Sequence, residues 1–356
     1  MYSSLSIENF RGIQSLRIDS LQRINLVVGR NNAGKTSLLE AAILLGGGGN
    51  SPNVALSLGQ TRGQLLQGSD EIWRALFRQM APEHPVRISG IRGGQECAVT
   101  IEGLAYDATP VAGEAGVQVP VPIATLREDS EIGRLRFVHH LADGRKLETM
   151  VTRDPNSGGI NRVPSLVERP AIIPTVLVPA SWPVTLQAAR EFSALRESRR
   201  EADVVRALQS IDPRIKRVEV LLKGMVPTLH LDLGLGRLLP LAVAGAGVVR
   251  LFMIALKFAI VRGGLLLVDE IENGLHHSVI DELWKFVANQ AEAFDVQVIA
   301  TTHSDEMMRS AARCQRARSE PLGLFRLDLV HGEHRAACYN DEALQAVLES
   351  NFEVRA

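Results

Sequence analysis

The chain has 356 residues, of which 46% are hydrophobic, so it can bury the core of one large domain or of two. Its formal net charge of −1 excludes a bulk basic field for binding nucleic acids, although a local basic patch stays open. The three cysteines, Cys97, Cys314 and Cys338, form no CxxC pair, which disfavours disulfides and a zinc site and favours a reducing compartment.

The N-terminal half opens with strand patterns. Residues 2–8 and 13–18 alternate apolar and polar side chains, which predicts a half-buried strand pair. The apolar run INLVV (24–28) predicts a central strand covered on both faces, and a glycine-rich loop and a helix follow it. We expect GGGGNSPN (46–53) to be a flexible connection. From about 85 to 155, period-two alternation between Gly and Asp turns predicts an antiparallel sheet of hairpins.

The C-terminal half alternates between helix and strand patterns. PVPIA (120–124) and NSGGINRVPS (156–165) are typical of loops, and IIPTVLVP (172–179) is typical of a core strand. Residues 187–210 have the periodicity of a helix with a charged face, and VEVLLKG with PTLHLDLG predicts a hairpin. The elements predicted beyond these are helix 248–262, strand 264–268, helix 278–293, strand 296–300, helix 304–313 and a hairpin over FRLDLVHGEHRAACY (325–339).

No membrane or export segment is indicated. The N-terminus lacks a basic region followed by an apolar stretch, and the apolar run 251–261 is too short for a bilayer and contains Lys257. We therefore expect a cytoplasmic protein without a membrane partner.

GRNNAGKT (29–36) matches the phosphate-binding pattern G-x-x-x-x-G-K-[ST] and lies between a predicted strand and a predicted helix, as that motif requires. Backbone N–H groups of such a loop wrap the phosphates, and the helix N-terminus adds its positive dipole end. We expect Lys35 to reach the β- and γ-phosphates and Thr36 to bind Mg²⁺. The candidate nucleotide-binding residues of this segment are Gly29, Asn31, Asn32, Ala33, Gly34, Lys35, Thr36 and Ser37.

In LLLVDEIENGLHH (265–277), a strand pattern without polar residues ends in two adjacent carboxylates. Burying unpaired charges costs several kcal/mol, so such a pair requires a cation or a chemical role, unless the strand simply ends at a solvated turn. Asp269 is a candidate ligand of Mg²⁺, a hard cation that prefers oxygen. Glu270 lies one residue further, so it points to a different side and can polarise the attacking water.

Two further segments complete the candidate site. VIATTHS (298–304) predicts another core strand, and His303 at its tip, one strand after the acidic pair, can sense the γ-phosphate. LPLAVAGAGVVRL (239–251) places Gly245 and Gly247 before a helix, which suggests a second anion-binding N-terminus. One protomer already has its phosphate loop, so this second site either serves another subunit's nucleotide or is a plain loop entering a core helix.

In this order the motifs resemble the ABC-type ATPases of the SMC/RecF/OLD group, and most closely the stand-alone bacterial AAA family ATP-binding proteins near the OLD ATPases. IENFRGIQSL resembles the family's opening strand, GRNNAGKTSLLEA its Walker A motif, LLLVDEIENGLHHSV its Walker B motif with D-loop, and ATTHSDEM its switch-histidine segment. The resemblance implies an α/β P-loop NTPase of ABC-ATPase type, with a mixed central sheet flanked by helices, an antiparallel β subdomain, and ATP and Mg²⁺ as cofactors.

Residue by residue, the resemblance implies Thr36 and Asp269 as metal ligands. It implies the catalytic roles for Lys35, Glu270 and His303, a D-loop at Asn273 and Gly274, and Arg11 near the nucleotide. It also implies a head-to-head homodimer in which the signature loop of each protomer closes the ATP site of the other.

The chain departs from the family pattern at two places. Ala244 stands where the signature often has Ser, so contacts there would come from the backbone N–H groups of residues 245–247. The Q-loop glutamine has no clear counterpart, and Gln187 is the candidate in the corresponding region. No heptad run is long enough for a coiled-coil arm.

We expect a single ATPase domain in four segments. These are an N-terminal lobe with the Walker A motif (1–84), an antiparallel β-rich insert (85–180), a helical and signature region (181–247), and a lobe with the Walker B motif and the switch histidine (248–356).

Proteins with other functions use the same kind of nucleotide-binding domain. The insert, the NFRG opening and the missing LSGGQ disfavour the ATPase subunit of an ABC transporter, and the missing [NT]KxD segment disfavours a GTPase. The basic clusters RESRR (196–200) and RSAARCQRAR (309–318) are compatible with a DNA-binding clamp gated by ATP, or with solvated helix faces.

The acidic residues after Ser304 are scattered, and HGEH (331–334) has the composition of a hairpin turn rather than a metal pair, so we expect no Toprim nuclease domain. The expected partner is a separately encoded nuclease or toxin effector, in phage defence or DNA maintenance.

Overall fold

The computed structural model describes residues 1–48, 51–61, 70–105, 111–112, 118–119, 131–153, 160–163, 173–181, 186–318 and 321–339. The loop predicted at 120–124 lies outside these residues. In chain order the elements are β1 (Tyr2–Phe10), β2 (Ile13–Asp19), β3 (Ile24–Gly29), α1 (Lys35–Gly46), α2 (Ser51–Thr61), α3 (Glu71–Arg74), β4 (Val86–Arg92), β5 (Gln95–Ala105), β6 (Val111–Ala112), β7 (Gln118–Val119), β8 (Ile132–His140), β9 (Lys146–Arg153), β10 (Ile160–Val163), β11 (Thr175–Val178), α4 (Leu186–Glu197), α5 (Glu201–Ile211), β12 (Arg217–Lys223), β13 (Val226–Asp232), β14 (Leu239–Pro240), α6 (Ala246–Ile260), β15 (Leu265–Val268), α7 (Ile280–Ala293), β16 (Gln297–Thr301), α8 (Asp305–Arg318), β17 (Leu322–Val330) and β18 (Glu333–Tyr339).

An antiparallel sheet of seven strands has the order β10-β9-β8-β5-β4-β1-β2. The predicted strand pair at the N-terminus and the predicted hairpins between 85 and 155 are confirmed in it. The hairpin strands β4, β5, β8 and β9 share this sheet with β1 and β2, because β4 pairs with β1 and places Ile88 opposite Ile7. The division of the chain into four segments stays a prediction.

A second, mixed sheet has the order β11-β15-β16-β3-β17-β18, and all its neighbours are parallel except β17 and β18. The predicted central strand β3 lies inside this sheet, between β16 and β17. The carboxyl ends of β3, β15 and β16 meet at one edge, where an open α/β sheet binds its ligands. The segments that follow these three strands carry the predicted phosphate loop, the acidic pair and His303.

Helix α1 packs between the two sheets, while α6 and α8 contact the opposite face of the mixed sheet in a core that α4, α5 and α7 complete. Side chains of a strand point alternately to the two faces of its sheet. In β15, Leu265 and Leu267 therefore join the core around α1, and Leu266 and Val268 join the core around α6. This double coverage explains why the sequence of β15 has no polar residue before Asp269.

Three sequence predictions are corrected by the structure. Residues 51–53 of the expected flexible connection begin α2, where Ser51 Oγ donates to Leu44 O at 2.7 Å. The expected loop 156–165 contains β10, which pairs with β9. The single helix expected over 187–210 is two helices, α4 and α5, because the chain turns at Arg199, whose φ is 56°.

The predicted hairpin at VEVLLKG and PTLHLDLG is confirmed as β12 and β13, with β14 added at its edge. Within the described part of the chain, no helix has the length and apolar character that a membrane crossing requires.

Candidate functional site

The phosphate-binding loop connects β3 to α1 through a tight turn. Asn32 has a φ of 63° and Gly34 a φ of 91°, so both adopt the left-handed conformation. Leu38 N donates to Gly34 O at 2.8 Å, the first backbone bond of the helix. The preceding N–H groups lack intrahelical partners, which is the arrangement that binds an anion at a helix N-terminus.

Lys35 is held inside the loop by backbone carbonyls. Its Nζ donates to Gly29 O at 2.7 Å and to Arg30 O at 2.9 Å, and lies 3.5 Å from His303 Nδ1. Burial lowers the pKa of Lys35, while the charges of Asp269 and Glu270 act in the opposite direction. The ammonium group is thus placed between the loop and the two strand tips.

Asp269 and Thr36 form the bridge between the phosphate loop and the acidic strand tip. Thr36 Oγ1 donates to Asp269 Oδ2 at 2.9 Å, and Thr301 Oγ1 donates to Asp269 Oδ1 at 2.6 Å. These hydroxyl and carboxylate oxygens are the donor types that Mg²⁺ prefers. Groups of three or more His, Cys, Asp or Glu side chains suited to a metal do not occur among the described residues. Thr36 and Asp269 offer two oxygen ligands, so a magnesium ion held there would take its remaining ligands from phosphate and water.

Glu270 and His303 face each other beside Lys35. Glu270 has a φ of 46°, and its N–H donates to Thr301 Oγ1 at 2.8 Å. This hydrogen bond holds Glu270 in the left-handed conformation. For a residue other than glycine, that conformation costs about 1 kcal/mol. Glu270 Oε1 lies 3.6 Å from His303 Nε2, and His303 N donates to Glu272 Oε1 at 2.9 Å.

Arg250 on α6 is a residue that the sequence analysis did not single out. Its guanidinium, which is 6% exposed, donates to Pro179 O at 2.5 Å, Asp269 O at 2.5 Å and Glu270 O at 3.0 Å. Burial lowers the pKa of Arg250 to about 10, so it remains charged at neutral pH. In the sequence, Arg250 is a charged residue within the otherwise apolar start of α6, and this pattern could have indicated that it supports the acidic pair.

A cavity of about 990 Å³ opens over these groups. The predicted site residues that line it are Arg11, Asn31, Asn32, Gly34, Lys35, Thr36, Ser37, Glu270 and His303. Gly29 reaches Lys35 through its carbonyl, and Ala33 is buried beneath the loop. Arg11 Nε lies 2.6 Å from Glu40 Oε2 in a buried ion pair, which anchors the opening strand motif to α1.

Two other segments line the cavity without having been predicted. Residues 75–80 contribute Phe77, Arg78 and Gln79, and the β17–β18 hairpin contributes Leu329, Gly332 and His334. The HGEH segment is indeed a hairpin turn, as predicted. These contacts arise from tertiary packing, since Phe77 pairs with Phe10 in an isolated bridge. No local motif marks them.

The signature glycines lie elsewhere. Gly245 and Gly247, at the start of α6, are outside the set of described residues that line the cavity of their own chain. A Cβ at Gly247 would lie 3.2 Å from Gly274 O, so the start of α6 packs directly against the turn that contains Gly274. Asn273 Nδ2 donates to Ala180 O at 2.8 Å.

Gln187 is not brought to the cavity. It lies on the exposed side of α4 and donates to Glu191 Oε1 at 3.2 Å. A side chain engaged within its own helix does not contact the phosphate loop, so the Q-loop assignment was wrong for this residue.

Basic side chains of the two arginine clusters form ion pairs. Arg196 lies 2.5 Å from Glu219, Arg313 lies 3.2 Å from Asp281 and Arg318 lies 2.8 Å from Glu292. These pairs reduce the net positive charge that the clusters present to a nucleic acid.

Comparison with known proteins finds two family models, which cover the phosphate loop and the segments of the acidic pair and His303. The model for an AAA domain, putative AbiEii toxin, type IV toxin–antitoxin system, matches residues 179–309, and the model for an AAA ATPase domain matches residues 1–51. An ATP/GTP phosphatase from Helicobacter pylori is 24% identical over 333 residues, 86% of each protein. The DNA replication and repair protein RecF from Actinobacillus pleuropneumoniae is 52% identical over 46 residues, 13% of each protein.

Solved structures give the same fold. An Smc head domain with an extended coiled coil bound to the C-terminal domain of ScpA, derived from Pyrococcus furiosus, aligns with a TM-score of 0.51 at 12% identity and covers 98% of both chains. An Smc head bound to the C-terminal winged-helix domain of ScpA aligns with a TM-score of 0.51 at 13% identity, over 97% of this chain and 99% of that one. At this identity the alignments establish the fold alone. The two family models cover the phosphate loop and the acidic strand tip, and together with these relatives they support an ABC-like ATPase of the SMC/RecF/OLD type.

Proposed function

We propose that the protein binds ATP with Mg²⁺ in the cavity and hydrolyses it in a head-to-head dimer whose closure controls a partner effector. The observation that carries this proposal is the convergence of five predicted side chains at one edge of the mixed sheet. Lys35 and Thr36 from the loop lie beside Asp269, Glu270 and His303 from two strand tips.

Thr36 and Asp269 would hold the magnesium ion. Their oxygens are already in direct contact, and Thr301 fixes the second carboxylate oxygen of Asp269, so the carboxylate is oriented before any ligand arrives. When bound, Mg²⁺ would neutralise part of the phosphate charge. Lys35 supplies the second positive charge and would exchange its two carbonyl contacts for phosphate oxygens.

Glu270 is the group that would accept a proton from the attacking water. Its side chain is 40% exposed, lines the cavity and is directed toward His303. His303 is positioned by its backbone bond to Glu272, which leaves its ring beside both Glu270 and Lys35. This ring would contact the γ-phosphate and report whether it is present.

The dimer is supported by the position of the signature loop. Gly245 is exposed, has open space where a side chain would lie, and begins a 15-residue helix. Because this helix N-terminus is not part of its own chain's cavity, it is available to the nucleotide of a second protomer. Its packing against Gly274 would couple the partner's ATP to the D-loop.

The output would be control of a separately encoded effector in the cytoplasm, in phage defence or DNA maintenance. The family model described as a putative AbiEii toxin and the RecF match favour these two settings. A DNA-binding clamp gated by ATP is the second candidate, favoured by the same RecF match. The ATPase subunit of a membrane transporter is the third, and it would copurify with a multi-span membrane protein.

ATP hydrolysis and DNA cleavage by the purified protein test the proposal together. We expect phosphate release from ATP with Mg²⁺, and no cutting of plasmid or linear DNA with Mg²⁺ or Mn²⁺ and ATP. Cutting that survives Glu270→Gln, but disappears when Asp328 and Glu333 are changed, would contradict control of a separate effector. Tight DNA binding that depends on ATP, without a partner protein, would favour the clamp.

A further inference from the structure

His334 on β18 is a buried imidazole in the wall of the nucleotide cavity. Only 9% of the residue is exposed, and it lines the cavity together with Gly332 and Leu329 of the same hairpin. The ring lies against the phosphate loop, because a Cβ at Gly34 would be 3.1 Å from its Cδ2 and 3.2 Å from its Nε2. Packing of this kind makes the β17–β18 hairpin a part of the site.

The two ring nitrogens have different surroundings. Nδ1 is buried and has no hydrogen-bond partner within the described residues, whereas the edge that carries Nε2 faces Gly34 at the cavity. A buried N–H without an acceptor is rarer than a buried acceptor without a donor. Burial also lowers the pKa of His334, so the ring is neutral at pH 7. We assign the ring proton to Nε2, the nitrogen that faces the cavity, so that Nε2–H is the donor that the ring offers to a ligand.

The order of the strands shows which part of a nucleotide would meet this donor. Glu270 follows β15 and His303 follows β16, and both strands lie on one side of β3. His334 belongs to β18, on the other side of β3. A triphosphate whose γ-phosphate lies beside Glu270 and His303 therefore extends across the phosphate loop toward the β17–β18 hairpin.

The cavity wall on that side suits a nucleoside. Leu329 of the same hairpin exposes about half of its apolar surface, while Ile13 and Phe77 also line the cavity but are themselves almost fully buried. Binding sites for planar ligands combine such apolar walls with a few fixed polar groups. We infer that His334 contacts the ribose and base of the bound nucleotide through Nε2, which makes it a residue that distinguishes a nucleotide from free polyphosphate. This inference rests on the proposed ATP site.

The test compares MgATP with magnesium tripolyphosphate, which carries the phosphates without ribose or base. Isothermal titration calorimetry would measure both dissociation constants for His334→Met and His334→Gln, two side chains of similar length of which only Gln retains a donor near the place of Nε2. We expect His334→Met to weaken MgATP binding about tenfold, the loss of one hydrogen bond, and to leave tripolyphosphate binding unchanged. His334→Gln should stay within about threefold of wild type for both ligands.

His331→Ala is the matched control, because His331 lies in the exposed turn of the same hairpin and does not line the cavity. Tripolyphosphate binding shows in each variant that the phosphate loop is folded. The inference is overturned if His334→Met binds MgATP like wild type, if it weakens both ligands equally, or if Gln does not restore binding. A wild-type protein that binds neither ligand would instead overturn the proposed function.

Discussion

Thr36 Oγ1 and Asp269 Oδ2 lie 2.9 Å apart and join residues that are 233 positions apart in the sequence. This hydrogen bond connects the start of α1 to the tip of β15, so the phosphate loop and the acidic pair form one site. Its geometry depends on Thr301, which holds the other carboxylate oxygen.

Asp269→Asn should remove the magnesium dependence of ATP binding. The amide keeps the shape of the side chain but loses the negative charge that a hard cation requires. We expect MgATP to bind wild type more tightly than ATP in EDTA, and the two affinities to become nearly equal in the variant. Calorimetry with and without EDTA measures the difference. Asp19→Asn, at an exposed ion pair with Arg17, is the control and should behave as wild type.

Lys35→Ala should weaken ATP binding by about 100-fold, because the Lys35 ammonium group is the main positive charge with which the loop binds the phosphates. The control is Lys223→Ala at the exposed end of β12. Calorimetry that finds equal affinity for ATP in Lys35→Ala and wild type would show that residues 29–36 are not the phosphate loop.

Arg250→Met should destabilise the protein. The variant leaves the carbonyls of Pro179, Asp269 and Glu270 without this donor, and three such bonds contribute about 3 kcal/mol together. Urea denaturation measures the free energy of unfolding. Arg214→Met, at an exposed pair with Asp212, is the control and should unfold like the wild type. Equal stability of Arg250→Met and wild type would show that Arg250 does not support the acidic pair.

Gly245→Glu should prevent ATP-driven dimerisation without affecting ATP binding by the monomer. The new carboxylate would project from the signature loop toward the partner's phosphates and repel them. Gly236→Glu is the control, since both glycines are exposed and have open space around them. Light scattering with ATP that shows the same dimer for wild type and Gly245→Glu would contradict a composite site.

The structure brings together the candidate site segments that local sequence encodes. The phosphate loop, Asp269, Glu270 and His303 each follow a strand whose apolar run is visible in the sequence, and parallel strands bring their carboxyl ends to one edge. The fold class and most of the strands were predictable for the same reason.

The remaining parts depend on contacts between distant segments. Arg250, Phe77 and His334 reach the site through packing of α6, of the bridge to Phe10 and of the last hairpin. Arg250 and His334 lie in segments that the sequence marks for other reasons, and neither segment predicts these contacts. The glycine run at 46–49 suggested a loop throughout, although Ser51 and the following residues form a helix. Proline is tolerated in a first helical turn, which is why Pro52 does not prevent it.

Glu270→Gln gives the most direct test of an ATPase with a composite site. The amide retains the size of the side chain but cannot accept the proton of water, so ATP should bind and persist. Size-exclusion chromatography with light scattering and a phosphate-release assay would be run on the same sample, with Glu282→Gln, at an exposed pair with Lys285, as control. The account predicts an ATP-dependent dimer that hydrolyses no ATP. A protein that stays monomeric with ATP at high concentration and hydrolyses it at the wild-type rate would contradict it.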